Sequence, residues 1–198
     1  NFFRALPLAT IVEEDALIVH AGPPPPPPMN ETDYIPMKQL MSVNDKNTIV
    51  SKMGLSRTVQ DTEGLGKIGF DSAMAKDIER HANDVGYQNM VKGRHLIESL
   101  LWSDPIVDQE EGILVDNGGT WETNDSRGAG YKFDATIVRK CLQREGLQRM
   151  IRSHEPVREG CARYVISDDD DLSTRPMEFF TVFSASRYPY KEGFNQGA

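Results

Sequence analysis

LATIVEEDALIVH, residues 8–20, is the stretch from which the fold can be read. Two runs of apolar, β-prone residues flank the acidic triplet Glu13-Glu14-Asp15, and that pattern predicts a β-hairpin. The second run ends on His20, passes through Ala21-Gly22 and stiffens into a run of prolines, 23–28. Prolines in series favour an extended segment without backbone donors, so the run reads as a stiff surface linker, with a recognition motif as the alternative. A histidine at the end of such a strand can be a packed core residue, a metal ligand or a catalytic base. The local sequence leaves all three open.

Further along, residues 30–70 are polar and weakly periodic and read as a long loop or insertion. From Asp71 the spacing of Met74, Ile78, Ala82 and Val85 suits a helix, and Leu96, Ile97, Leu100 and Leu101 form a second apolar cluster leading to Trp102. Residues 106–126 are loop-like. ATIVRKCLQREG (135–146) places Ile137, Val138, Cys141 and Leu142 on one helical face, with Gly146 as a C-cap. Three strand candidates follow: QRMIRSH, ARYVIS and EFFTVFSAS. Between the last two, SDDDDLSTRP lacks the spaced ligands and glycine of an EF-hand loop and reads as a solvated acidic loop. Strands alternating with helices predict an α/β domain.

The chain has 198 residues, enough for one domain with a sizeable core, and its net charge of -8 argues against nucleic acid as the main partner. No apolar run approaches the roughly 20 residues of a membrane helix. Cys141 and Cys161, without a CxxC spacing, are expected as two reduced thiols in a reducing, cytoplasmic setting, with nuclear or cytoskeleton-associated placement as alternatives. The opening NFFRALP shows no initiator Met or targeting peptide and reads as a fragment or as a chain whose upstream part is not represented.

His20 and His154 each end a strand candidate and precede a turn-forming stretch, AGPP and EPVREG. In α/β folds ligands gather where strands stop, and imidazole there is a common metal ligand. The two lie 134 positions apart, so no local metal motif joins them, and each alone is more often structural. His81 and His95 read as surface or packing residues. Arg127, between Ser126 and a Gly-Ala-Gly run, could take phosphate bidentately or pair with an acid. In LLWSDP, Pro105 disfavours helix at Asp104, which could be an N-cap, a metal ligand or a carboxylate supporting one; unaided, a structural role is favoured. Arg187-Tyr188 follows an apolar strand as a plausible pocket rim.

The order of these blocks is more specific than any one of them. LPLATIVEEDALIVHAG, LLWSDP, NDSRGAGYKF, MIRSHEPVREG and FTVFSASRYP run in the order found in the phosphoprotein phosphatase (PPP) family, metal-dependent Ser/Thr protein phosphatases that include calcineurin, and the chain resembles that family. The RSHE form is most similar to branches with EF-hand or tetratricopeptide-repeat regulatory domains. The resemblance implies the C-terminal half of a calcineurin-like metallophosphoesterase β-sandwich flanked by helices. It implies one domain part over 1–198, with an insertion at about 29–94 and an acidic loop at about 167–176. It makes His20 and His154 ligands of one metal in a centre of two divalent ions of the Mn, Fe or Zn type. It makes Arg127 the substrate-phosphate arginine, Tyr188 a tyrosine lining the catalytic groove, and Asp104 an aspartate close to the active site. Phosphate monoesters hydrolyse very slowly unaided. Two metals about 3.5–4 Å apart generate a hydroxide and clamp the phosphoryl oxygens, while arginine steadies the developing charge.

The family's GDxHG, GDxVDRG and GNHE blocks do not occur, and by family order they would lie upstream of Asn1. The expectation is therefore a protein serine/threonine phosphatase acting on phosphoprotein, with this chain alone inactive without the upstream half. The alternative is a non-catalytic phosphatase-derived scaffold, with a regulatory or scaffold partner at 29–94. Ala21 in place of the first glycine of HGG, prolines in place of LSP, and Arg187 in place of Asn are the departures that favour the alternative.

Overall fold

A computed structural model describes residues 8–24, 83–84, 95–108, 110–166, 175–189 and 193–198. The predicted hairpin forms: β1 (Ala9–Val12) pairs antiparallel with β2 (Ala16–Val19), Val12 opposite Ala16. Glu13 and Glu14, at φ 52 and 53, carry the left-handed turn that matches strand twist, and Asp15 N donates to Val12 O at 3.0 Å. Residues 95–102 are helical (α1) and bury Leu96, Ile97 and Leu100, as their spacing predicts. Pro105 stops the helix as expected.

The second helix, α2 (Ala135–Glu145), also follows its pattern: Ile137, Val138, Cys141 and Leu142 are buried, and Gly146 caps it at φ 67. Its N-cap is Asp134, whose Oδ1 accepts from Ile137 N at 2.9 Å. The other oxygen, Oδ2, takes the N–H groups of Asn117, Gly119 and Thr120, so one buried carboxylate ties helix to loop.

The three C-terminal strand candidates are β8 (Arg149–Arg152), β9 (Cys161–Ile166) and β10 (Met177–Val182). They join the hairpin in a five-stranded mixed sheet of order β1-β2-β8-β10-β9, with β2, β8 and β10 mutually parallel. Leu17, Met150 and Phe179 share one register across those three strands and are fully buried. Full burial of such a side chain contributes about 1.5–3 kcal/mol. The mixed α/β class is therefore the one expected.

Residues 106–126, read as a loop, carry three two-residue strands: β4 (Val107–Asp108), β5 (Ile113–Leu114) and β6 (Glu122–Thr123). Before them lies β3 (Asp104–Pro105), and β7 (Tyr131–Phe133) sits between β3 and β6 in a small second sheet. Strands this short show no alternation a sequence can display; backbone bonds such as Ile106 N to Phe133 O set them. The helix expected from Asp71 falls outside the described residues except for Asn83 and Asp84, which are not helical. The 30–70 loop, most of the 29–94 insertion and residues 167–174 of the acidic loop also lie outside them. Both cysteines are free thiols, and burial pushes Cys141 up to about 12. No helix among the described residues is long and apolar enough to cross a membrane.

Candidate functional site

Parallel pairing is what assembles the site. Because β2 and β8 run the same way side by side, their C-terminal ends reach the same sheet edge, and Ser153 N continues the ladder to His20 O at 3.0 Å. His20 follows β2 directly; His154 follows β8 by two residues and adopts φ 73, a left-handed backbone that is uncommon outside glycine. Its ring thereby meets His20: His154 Nδ1 lies 3.0 Å from His20 Nε2, with the ring planes at 72°. Trp102 stands edge-on to His154, centroids 5.7 Å apart.

Asp104 enters from the end of α1. Its Oδ2 accepts from Arg127 Nε and Asn124 Nδ2, both at 2.9 Å, and its Oδ1 accepts from Arg152 Nη2 at 3.0 Å. Arg127 reaches it because the 124–130 loop folds tightly, with Arg127 N donating to Asn124 O. That loop closes at Gly130, where φ is 71 and a Cβ would stand 2.6 Å from the Trp102 carbonyl carbon. His154 Nε2 lies 3.9 Å from Asp104 Oδ1, beyond hydrogen-bond reach, and is buried without a hydrogen bond among the described residues.

The electrostatics disfavour charge on both rings. Burial drives the His154 imidazole down to about 4; the Asp104 charge opposes this, and those of Arg127 and Arg152 reinforce it. His20 is lowered by burial and by the charges of Arg152 and Arg127. Burial works to raise the Asp104 carboxyl, but hydrogen bonds from Arg127 and Asn124 and the charges of both arginines hold it below the usual carboxylate range. Glu155, next to His154, is raised by burial despite the nearby Arg152.

Neutral imidazole is the form that donates a lone pair to a cation. Two nitrogens each about 2.0–2.1 Å from one ion, at angles from square to tetrahedral, stand about 2.9–3.4 Å apart. The 3.0 Å separation seen here fits that span, so the two residues could hold one divalent ion. Among the described residues no group of three or more His, Cys, Asp or Glu side chains is placed to hold a metal, so these two are an incomplete ligand set.

Of the residues singled out from the sequence, His20, His154, Asp104 and Arg127 come together. Tyr188 does not join them through any hydrogen bond, ion pair or ring contact among the described residues. It is 48% exposed, packs on Phe183 and is held through its backbone by Asn195. Arg187 lies over the Phe194 ring. His95 is a packing residue, as expected, bonded to the Tyr131 hydroxyl. Ala21 is fully buried, its carbonyl accepting from Arg152, so its methyl is accommodated. Sequence reasoning missed Arg152 and Asn124. The signal for Arg152 was strand alternation, which puts it on the same inward face as Met150.

No family model matches the chain. It is 27% identical over its whole length to the human "Serine/threonine-protein phosphatase with EF-hands 1", covering 26% of that protein. It is 35% identical, over 48% of its length and 23% of the other, to the "Serine/threonine-protein phosphatase PP2A-like PPG1" of Saccharomyces cerevisiae. A solved Saccharomyces cerevisiae protein serine/threonine phosphatase with similarity to human phosphatase PP5 aligns with TM-score 0.45 and 18% identity, over 92% of this chain and 36% of that one. The chain spans about a quarter of the length of the first curated relatives it matches.

Proposed function

We propose, for a chain related to the phosphoprotein phosphatase family of serine/threonine protein phosphatases, that it forms part of the catalytic domain of an enzyme hydrolysing phosphoserine or phosphothreonine in proteins. The observation that carries the reading is the approach of His20 and His154 to 3.0 Å beside the Asp104–Arg127 pair. The facing nitrogens of His20 and His154 would hold a divalent cation, together with further donors beyond the described residues. Such an ion would supply Lewis acidity toward water and phosphoryl oxygens.

Arg127 binds the substrate phosphate. Asp104 engages its Nε, and more distantly its Nη2 at 3.5 Å, which fixes the guanidinium plane and leaves Nη1 for a phosphoryl oxygen. Asp104 acts as the anchor of that arginine, and Tyr188 forms an exposed wall where the substrate chain passes. In the full polypeptide, His154→Ala is expected to abolish metal-dependent phosphate release from a phosphothreonine peptide, a fall on the order of 10²-fold or more. Unchanged turnover in that variant overturns the site assignment.

A non-catalytic, phosphatase-derived scaffold is the second reading. It draws on the incomplete ligand set among the described residues and on the engagement of Arg127 by Asp104. Absence of both Mn(II) binding and turnover in the full polypeptide would select it.

A further inference from the structure

The geometry points to Arg152 as the positioning residue of this site: one buried guanidinium sets the His20 and His154 rings against the Asp104–Arg127 pair. Its side chain is wholly buried. Nε donates to Ala21 O at 2.7 Å, Nη1 to Glu155 Oε2 at 2.8 Å, and Nη2 to Ser103 O at 3.1 Å and Asp104 Oδ1 at 3.0 Å. Every acceptor is a site residue or its neighbour in sequence. Ala21 follows His20, Ser103 precedes Asp104, and Glu155 follows His154.

Three chain segments far apart in sequence, the ends of β2, α1 and β8, are thus cross-linked by one planar group. A fork of fixed N–H directions serves these four acceptors from three nitrogens, whereas an ammonium has only three donors on a single nitrogen. The second oxygen of Asp104 carries the constraint onward to Arg127 and Asn124. Arg152 also pairs with two carboxylates, the buried Asp104 and the partly exposed Glu155 that follows His154, and offsets their charge. Among the described residues Arg152 makes no hydrogen bond to either ring or to Arg127, so its action is through the residues it holds.

The catalytic part of this inference rests on the phosphatase reading; the geometric part does not. The test uses the full polypeptide with selectively labelled histidine and arginine, unsubstituted and as Arg152→Lys. Expected in R152K is loss of the magnetisation-transfer contact between the His20 and His154 rings. Turnover of a phosphothreonine peptide with Mn(II) should fall on the order of 10²-fold in kcat, with KM changed less than about twofold. A merely structural arginine would lower the melting temperature and leave the ring contact and kcat intact in the folded fraction. Retention of both overturns the proposal. Should R152K fail to fold, the unsubstituted protein decides: separate, slowly exchanging Nη1 and Nη2 proton signals for Arg152 are expected, and one averaged, rapidly exchanging signal overturns it. If the unsubstituted polypeptide releases no phosphate, the phosphatase reading fails, and the ring contact in R152K alone judges Arg152.

Discussion

Replacing Asp104 by Asn keeps the side chain's shape and removes its charge, and the structure says which contacts give way. Asn offers one oxygen, so its N–H groups must face either Arg152 on one side or Arg127 and Asn124 on the other. Arg152 is fully buried and cannot turn to water, whereas the Arg127 side chain is 32% exposed and can. The amide therefore flips to keep its oxygen on Arg152 Nη2 and releases Arg127. Lost are two charge-assisted bonds to the carboxylate, one from Arg127 at a half-open position and one from the buried Asn124, each 2.9 Å. At about 1.5–3 kcal/mol for the Asn124 bond and about 1 kcal/mol for the Arg127 bond, discounted for its partial exposure, the sum is about 2.5–4 kcal/mol. For a chain of this size that lowers the melting temperature by roughly 5–15 °C. Equilibrium urea unfolding of D104N beside the unsubstituted protein measures it. A change under about 0.5 kcal/mol, or a variant in which Arg152 rather than Arg127 is freed, would refute the reasoning.

Glu178 is held below its ordinary carboxylate value by hydrogen bonds from Arg149 and Arg163, so the stability it lends is complete above about pH 4–5 and is lost as pH falls through its depressed folded-state value. Glu178→Gln should flatten the acid limb of melting temperature against pH while changing little in its shape near neutrality; an unchanged acid limb removes Glu178 from that role. Gly160 sits at φ 81, and a Cβ there would stand 2.1 Å from the Gly197 carbonyl carbon, so Gly160→Ala must displace the 195–198 segment. Beyond the roughly 1–2 kcal/mol cost of the left-handed backbone, loss of the bonds from Gln196 N to Arg158 O and Ala198 N to Phe183 O should appear as faster amide exchange at those two positions. Unaltered exchange there refutes it.

Local pattern carried much of this fold. The hairpin at 8–20, the α2 face and the three C-terminal strands follow from alternation, helical spacing and capping residues that need no knowledge of distant chain. The site was legible as a set of strand ends: His20 and His154 stood where apolar runs stop, and Arg127 beside small residues. Their union was not legible from spacing, because nothing local in ALIV or RMIR says that these strands lie parallel and adjacent. The resemblance supplied that step. Arg152 escaped notice for a related reason. A charged residue facing inward looks like a break in the strand pattern until Ala21, Ser103, Asp104 and Glu155 are known to surround it. The two-residue strands in 106–126 were invisible because pairing, not composition, makes them strands.

The parallel neighbourhood of β2 and β8 has a consequence for how such a chain can diversify. Its two facing histidines are 134 positions apart, and the entropy of joining distant points grows only with the logarithm of their separation. Doubling or halving the chain between them changes the closure free energy by only about 0.6 kcal/mol, provided α1, β3 and α2 keep their places. Chain length between Pro24 and α1 is therefore, by closure entropy alone, a weak constraint on the meeting of the two rings. What holds the two rings together is strand pairing at the sheet edge, not the number of residues that separates them.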